Sequence, residues 1–240
     1  MSYIRSFIFI NFCWIFSLFW GVFWMPLAFV SENLARKIGT FWAMGMVEAL
    51  RILCGVRFEI IGKKHLDNAL AAVNLHQYRL VVVPNHQSAW ETLFLTYYLN
   101  CPVFVLKKEL TRIPIFGLYL YFTKMLIIDR AKKIGALKKI RNYIDKDRDS
   151  KRAMVIFPEG TRVKYGERHK FQSGIATIVK GSSKVILLPV AHNSGRFYGS
   201  FFYKRGTIRI MFLKPLLNSE STPNLTEYLE TTIYDASGRL

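Results

Sequence analysis

Between Phe7 and Val30 the chain runs 24 residues without a charged side chain. About 20 apolar residues suffice for a helix to cross the hydrocarbon core of a bilayer. This run therefore restricts the first part of the chain more than any other feature does. Trp14, Trp20, Trp24 and Trp42 suit the headgroup zone, and Pro26 can kink the segment. A second weakly charged stretch, Ile38 to Leu50, follows Arg36 and Lys37. Two arrangements satisfy these residues: a single spanning helix, or a helical hairpin dipping into one leaflet with its bend near Gly21 to Pro26. A cleaved signal peptide fits less well, because the run exceeds a signal core and no small-x-small site follows it.

Charge divides the chain at the same place. The first 50 residues carry Arg5, Arg36 and Lys37 against Glu32 and Glu48, so almost the whole net charge of +18 lies beyond them. A hydrophobic fraction of 51% is high for a soluble domain. We read residues 1–50 as a membrane-anchoring helical segment and residues 51–240 as a basic catalytic or binding body. Its partners would be polyanions: an anionic lipid surface, phosphorylated substrates or nucleic acid. No nucleic-acid module is recognisable, and the charges are spread along the chain, which weighs against the last. If the segment spans, the basic bulk after it places the body on the cytoplasmic side. Cys13, Cys54 and Cys101 are odd in number and widely spaced, suggesting neither disulfides nor a zinc site.

Past residue 50, short apolar runs alternate with polar helical stretches. Arg57–Ile61, Leu80–Pro84, Val103–Leu106, Leu126–Asp129, Ala153–Phe157, Val185–Val190 and Thr207–Phe212 read as buried strands. Ala89–Leu99, Ala131–Lys146 and Gly174–Gly181 read as helices. The expected fold is α/β, a mixed central sheet covered by helices on both faces. Ile134, Leu137, Ile140 and Ile144 recur at helical spacing among lysines, and packing on the sheet is the expected use of that stripe. From Asn218 on the tail is polar and reads as a loop with one short helix.

Five stretches carry candidate chemistry. Val83-Pro84-Asn85-His86-Gln87-Ser88-Ala89-Trp90-Glu91 leaves a strand and opens a helix, which is where α/β proteins place reacting groups. Glu91 is five positions after His86 and can reach back to the imidazole as base and orienting acid do in acyl transfer. Ser88-x-x-Glu91 is equally a capping box, and His86 alone equally a structural histidine. Phe157-Pro158-Glu159-Gly160-Thr161-Arg162 follows another strand, with Pro158 and Gly160 at the second and fourth positions of a tight turn. Its arginine fork suits a phosphate, or simply a surface carboxylate. Ile127-Ile128-Asp129-Arg130 and Leu187-Leu188-Pro189-Val190-Ala191-His192-Asn193-Ser194-Gly195 also lie at strand ends. Lys107-Lys108-Glu109-Leu110, with Ile113-Pro114-Ile115-Phe116-Gly117 behind it, adds cations beside an apolar turn.

Taken in order, Asn85-His86-x4-Glu91, Lys107-x-Glu109-Leu110 with Ile113-Pro114-x-Phe116-Gly117, Ile128-Asp129-Arg130, Phe157 to Arg162 and Leu188-Pro189-Val190 resemble the 1-acylglycerol-3-phosphate acyltransferases of the PlsC type. The resemblance runs from about residue 80 to 195. It implies that His86 is the general base of a His-x4-Asp motif in which Glu91 replaces the aspartate, keeping the charge but adding a methylene. It assigns Glu159, Gly160, Thr161 and Arg162 to the block that holds the glycerol phosphate, Lys107 and Arg130 to cations near that phosphate, and Pro189 to the acyl or carrier site. The implied reaction moves an acyl group from acyl-CoA or acyl-carrier protein to the sn-2 hydroxyl of lysophosphatidic acid, giving phosphatidic acid at a membrane without metal or cofactor. Ser88 remains a formal nucleophile, although no G-x-S-x-G elbow surrounds it. The rival readings are acylation of glycerol 3-phosphate or another lysophospholipid, and a membrane-tethered basic binding protein.

Overall fold

The computed structural model describes residues 2–76, 78–146, 152–179, 184–199, 202–217 and 222–240. Three helices open the chain: α1 (Ser2–Phe23), α2 (Met25–Val30) and α3 (Glu32–Cys54). α1 is long and apolar enough to cross a membrane. It nevertheless has a protein partner along one side. The indole of Trp20 donates to the Ile38 carbonyl (3.2 Å), that of Trp42 to Ser17 Oγ (3.0 Å), and the Cys54 thiol lies 3.7 Å from the Arg5 carbonyl. Rising numbers on one helix meet falling numbers on the other, so α1 and α3 form an antiparallel hairpin. Trp24 ends α1, and Pro26 sits in the first turn of α2, where its missing N–H costs no helical bond. The chain thus folds back on itself between Phe23 and Glu32.

α3 ends on Gly55, whose φ of 69° is the left-handed cap conformation that glycine adopts without strain. Strands then accumulate: β1 (Val56–Ile61), β2 (Arg79–Pro84), β3 (Val103–Lys107), β4 (Leu126–Ile128), β5 (Met154–Val155), β6 (Val185–His192), β7 (Gly206–Phe212) and β8 (Leu216–Leu217). They make one sheet in the order β1-β7-β6-β2-β5-β3-β4, with β8 pairing β6. From β6 to β4 neighbours are parallel; β7 is antiparallel to β6, and β1 parallel to β7. The sheet is mixed, as expected.

Every position of β2 and β6 is buried, because helices cover both faces. Leu80 and Val82 pack with α3, α4 (Lys63–His76) and α5 (Trp90–Tyr98). Val81 and Val83 face the layer of α7 (Lys133–Lys146), α8 (Gly174–Val179) and α9 (Leu225–Gly238). Ile140 and Ile144 are buried there with Leu137 against them, whereas Ile134 is left 84% exposed. α6 (Phe116–Phe122) joins β3 to β4.

The strands expected from the sequence are all present, with β5 shortened to two paired residues and β6 extended to His192. The Lys180–Gly181 end of the expected third helix and Asn218–Ser221 lie outside the described residues. The polar tail departs most from expectation. It is a 14-residue helix that buries Leu225, Leu229, Ile233 and Tyr234 on the sheet. Residues four apart put these side chains on one face, and burying each contributes about 1.5–3 kcal/mol.

Candidate active site

The carboxyl ends of β2, β5, β3 and β4 lie side by side. His86 follows β2, the Phe157–Arg162 turn follows β5, Lys107 ends β3, and Arg130 follows β4. With strands about 4.8 Å apart, these groups are strung over roughly 14 Å of one sheet edge. A parallel sheet thus gathers residues that are far apart in the chain.

Glu91 sits in the first turn of α5 and is fully buried. Its Oε1 accepts from the backbone N–H groups of Gln87 and Ser88, each at 2.8 Å, and lies 2.8 Å from His86 Nδ1. One oxygen thus meets both the backbone N–H groups ahead of α5 and the imidazole. Burial works against its charge. The imidazoles of His192 and His86 and the Ser88 hydroxyl outweigh that and hold the carboxyl well below the usual carboxylate range. An ionised Oε1 can only accept, so His86 Nδ1 carries the hydrogen and the neutral ring has its lone pair on Nε2. The imidazole stacks on Phe157 with centroids 4.0 Å apart and keeps 17% of its side chain exposed.

A second layer fixes Glu91. Its Oε2 accepts from the hydroxyls of Ser88 (2.6 Å) and Ser194 (2.9 Å). Ser88 is completely buried and also accepts from the Trp90 N–H, so its hydroxyl is committed to the carboxylate rather than presented as a nucleophile. Asn85 and His192 brace the two loops from beneath. Asn85 Nδ2 donates to the His192 carbonyl, the His192 N–H donates to Asn85 Oδ1, and His192 Nε2 lies 2.6 Å from the Asn85 carbonyl. Burial lowers the pKa of His192, and the Ser194 N–H is directed at its Nδ1. Sequence reasoning quoted Asn85, His192 and Ser194 but gave them no role. Only contact across the sheet reveals one.

The Phe157–Gly160 turn forms as its proline and glycine require: the Gly160 N–H donates to the Phe157 carbonyl at 3.1 Å, and Gly160 has φ 72°. Glu159 points inward, 2% exposed, and its Oε1 accepts from the His86 N–H at 3.0 Å. The Val163 N–H donates to the His86 carbonyl at 2.8 Å. Both backbone groups of His86 are thus held by one neighbouring segment. Burial pushes the Glu159 carboxyl up to about 8. The Tyr234 hydroxyl from α9 lies 3.4 Å from its Oε1 and also bonds both backbone groups of His169.

Cations rim the site. Thr161 and Arg162 are exposed, as is Lys107. Arg130 donates to the Gly160 carbonyl and so braces the turn, while Lys108 pairs with Asp129 at 2.7 Å. Pro189 is buried within β6, one strand away from His86. Among the described residues, no three His, Cys, Asp or Glu side chains gather as metal ligands would.

Residues 57–193 match the sequence model of the acyltransferase family. The chain is 31% identical over 181 residues to a 1-acyl-sn-glycerol-3-phosphate acyltransferase of Pseudomonas aeruginosa, covering 75% of this chain and 66% of that protein. It is 34% identical over 155 residues to the protein of the same name from Helicobacter pylori, covering 62% and 65%. The chain thus spans slightly less than two thirds of the length of these relatives. Its fold superposes on the crystal structure of the 1-acyl-sn-glycerophosphate acyltransferase PlsC from Thermotoga maritima with a TM-score of 0.78, over 99% of this chain and 95% of that one, at 18% identity. The matched span begins in β1 and ends just past β6, enclosing every residue from His86 to His192 described above, and the chain belongs to the acyltransferase family.

Proposed function

We propose that this chain transfers a fatty acyl group from a thioester donor, acyl-CoA or acyl-carrier protein, to the sn-2 hydroxyl of 1-acylglycerol 3-phosphate, producing phosphatidic acid. One observation carries the reading: the 2.8 Å contact of His86 Nδ1 with an ionised, buried Glu91, which leaves Nε2 as a proton acceptor at the partly open surface. Nε2 takes the hydroxyl proton as the oxygen attacks the thioester carbonyl, and Glu91 stabilises the resulting imidazolium. Collapse of the tetrahedral intermediate breaks the C–S bond, and the imidazolium returns its proton to the leaving thiolate.

Arg162 and Thr161, with Lys107 and Arg130 farther along the sheet edge, receive the phosphate and so place the hydroxyl near His86. Glu159 and Gly160 serve the same site by shaping the turn. Residues 1–50 anchor the protein in the membrane through α1, and the basic body of residues 51–240 faces the cytoplasm.

The test supplies purified protein in detergent with lysophosphatidic acid and a panel of acyl-CoA and acyl-carrier-protein donors, following phosphatidic acid by mass spectrometry. Product from the wild type and none from His86→Ala, with membrane association retained, is the expected result. Product from glycerol 3-phosphate or another lysolipid alone would reassign the acceptor. Near-normal turnover by His86→Ala would remove the base.

A further inference from the structure

The link between β3 and β4 carries a feature that the proposed chemistry leaves unused. At Ile115 the backbone takes φ 62° and ψ −56°, and the Phe116 N–H donates to the Pro114 carbonyl at 2.6 Å. This is the rare γ-turn of positive φ, and a β-branched residue adopts it only where its surroundings impose it. The imposing neighbour is the end of α1. Ile115 Cγ2 presses on Gly21 so closely that a Cβ there would collide with it, and Tyr119 donates its hydroxyl to the Gly21 carbonyl at 3.0 Å. Phe122 meets Phe29 of α2 edge to face, 6.0 Å between centroids. The link is thus fastened to the apolar hairpin.

Fastened in this way, it turns apolar side chains outward. Ile113, Phe116, Leu118 and Tyr121 are all exposed, Tyr121 by 79%, while Leu120 faces the protein. Phe29 and Val30 of α2 and Phe19 and Phe23 of α1, each more than 70% exposed, continue the same kind of surface across the Phe29–Phe122 contact. Lys107, Lys108 and Arg112, with Glu109 among them, are exposed at the other end of the link.

We infer that residues 113–121 are a second membrane contact, in which Ile113, Phe116, Leu118 and Tyr121 enter the headgroup–acyl boundary and Lys108 and Arg112 lie against anionic headgroups. The inference rests on α1 being a membrane anchor. A bilayer is the occupant that matches both halves of this surface, an apolar shelf continuous with α1 and a basic flank. A tyrosine at such a boundary keeps its ring in lipid and its hydroxyl wet. The contact would hold the ends of β3 and β4, with Lys107 and Arg130, at the lipid surface, so that a lysolipid reaches the site without leaving the membrane.

The test places an environment-sensitive fluorophore on Tyr121→Cys, Phe19→Cys or Leu75→Cys, each in a Cys13→Ser background of the full chain. The proteins are reconstituted into phosphatidylcholine–phosphatidylglycerol vesicles with or without nitroxide-bearing acyl chains. Labels at 121 and 19 should lose emission to the nitroxide lipids, and the label at 75, on α4, only to aqueous iodide. Arg112→Glu should weaken the quenching at 121 when phosphatidylglycerol is present and not in phosphatidylcholine alone; equal quenching would overturn the anionic part. A label at 121 that iodide reaches, or that neither quencher reaches, while 19 is lipid-quenched would overturn the second contact and leave the anchor standing. If 19 also escapes the lipid quencher, the anchor falls and this contact with it.

Discussion

The hydroxyl of Ser194 lies 2.9 Å from Oε2 of Glu91, joining residues 103 positions apart. It brings the loop after β6 under the carboxylate that orients His86, so two parallel strands, β2 and β6, share one acid. Ser194→Ala leaves Oε2 with Ser88 alone and creates only a small void. A hydrogen bond to a charged group contributes about 1.5–3 kcal/mol, so kcat should fall roughly tenfold or more with little change in the KM of either substrate. Steady-state kinetics decide it: an unchanged kcat would make Ser194 a spectator.

Replacing Glu91 by Gln keeps its shape and removes its charge. An amide cannot stabilise an imidazolium, and its NH2 favours the other tautomer of His86. The analogous change in a Ser-His-Asp triad costs about 10⁴ in kcat, and a loss of at least about 10³ is expected here with the protein folded. Circular dichroism and turnover measured side by side separate the two effects; a well-folded variant with substantial activity would show that Glu91 only caps α5.

Glu159 makes stability depend on pH in a definite direction. Burial raises its carboxyl from the ordinary 4.5 to about 8. The native state therefore holds a proton that the unfolded chain releases between those values. Its stabilising contribution is full below about pH 4.5 and is lost as pH rises through about 8. At about 1.4 kcal/mol per pKa unit the whole effect is at most about 5 kcal/mol. Glu159→Gln retains an acceptor for the His86 N–H and has no proton to lose. Denaturation at pH 5 and pH 8.5 should show the wild type losing more stability than the variant, and parallel behaviour would remove the titration from Glu159.

Much of this could be read in the chain because buried parallel strands are continuous apolar runs, and the residues that leave them are already at one edge. Val185–Val190 and the loop holding His86 are cases where local pattern and tertiary position agree. Three features escaped. The polar tail reads as a loop with one short helix, whereas α9 runs for 14 residues on Leu225, Leu229 and Ile233, which repeat every fourth residue. Tyr234, which reaches Glu159 from that helix, has no local signal at all, since its role exists only once α9 is packed. The inward turn of Glu159 was hidden for the same reason. A Pro-Glu-Gly turn fixes backbone direction but not whether its side chain meets solvent or the neighbouring loop.

Arg130 and Arg162 should separate by kinetics. Both are read as phosphate cations, yet Arg130 donates to the Gly160 carbonyl, and Gly160 adjoins the Glu159 that holds His86. Arg162 is exposed just beyond the turn. Removing a guanidinium that binds phosphate only through charge-assisted hydrogen bonds should cost about 1.5–3 kcal/mol of lysolipid binding. Arg162→Ala should thus raise the KM for lysophosphatidic acid by roughly 10- to 100-fold, leaving kcat and the donor KM nearly unchanged. Arg130→Ala should lower kcat as well, because a loosened turn releases the backbone of His86. Initial rates over a grid of both substrates read all three constants. A rise confined to the donor KM in Arg162→Ala would move that arginine to the acyl-donor site, and a pure KM effect in Arg130→Ala would show that its contact with Gly160 leaves His86 untouched.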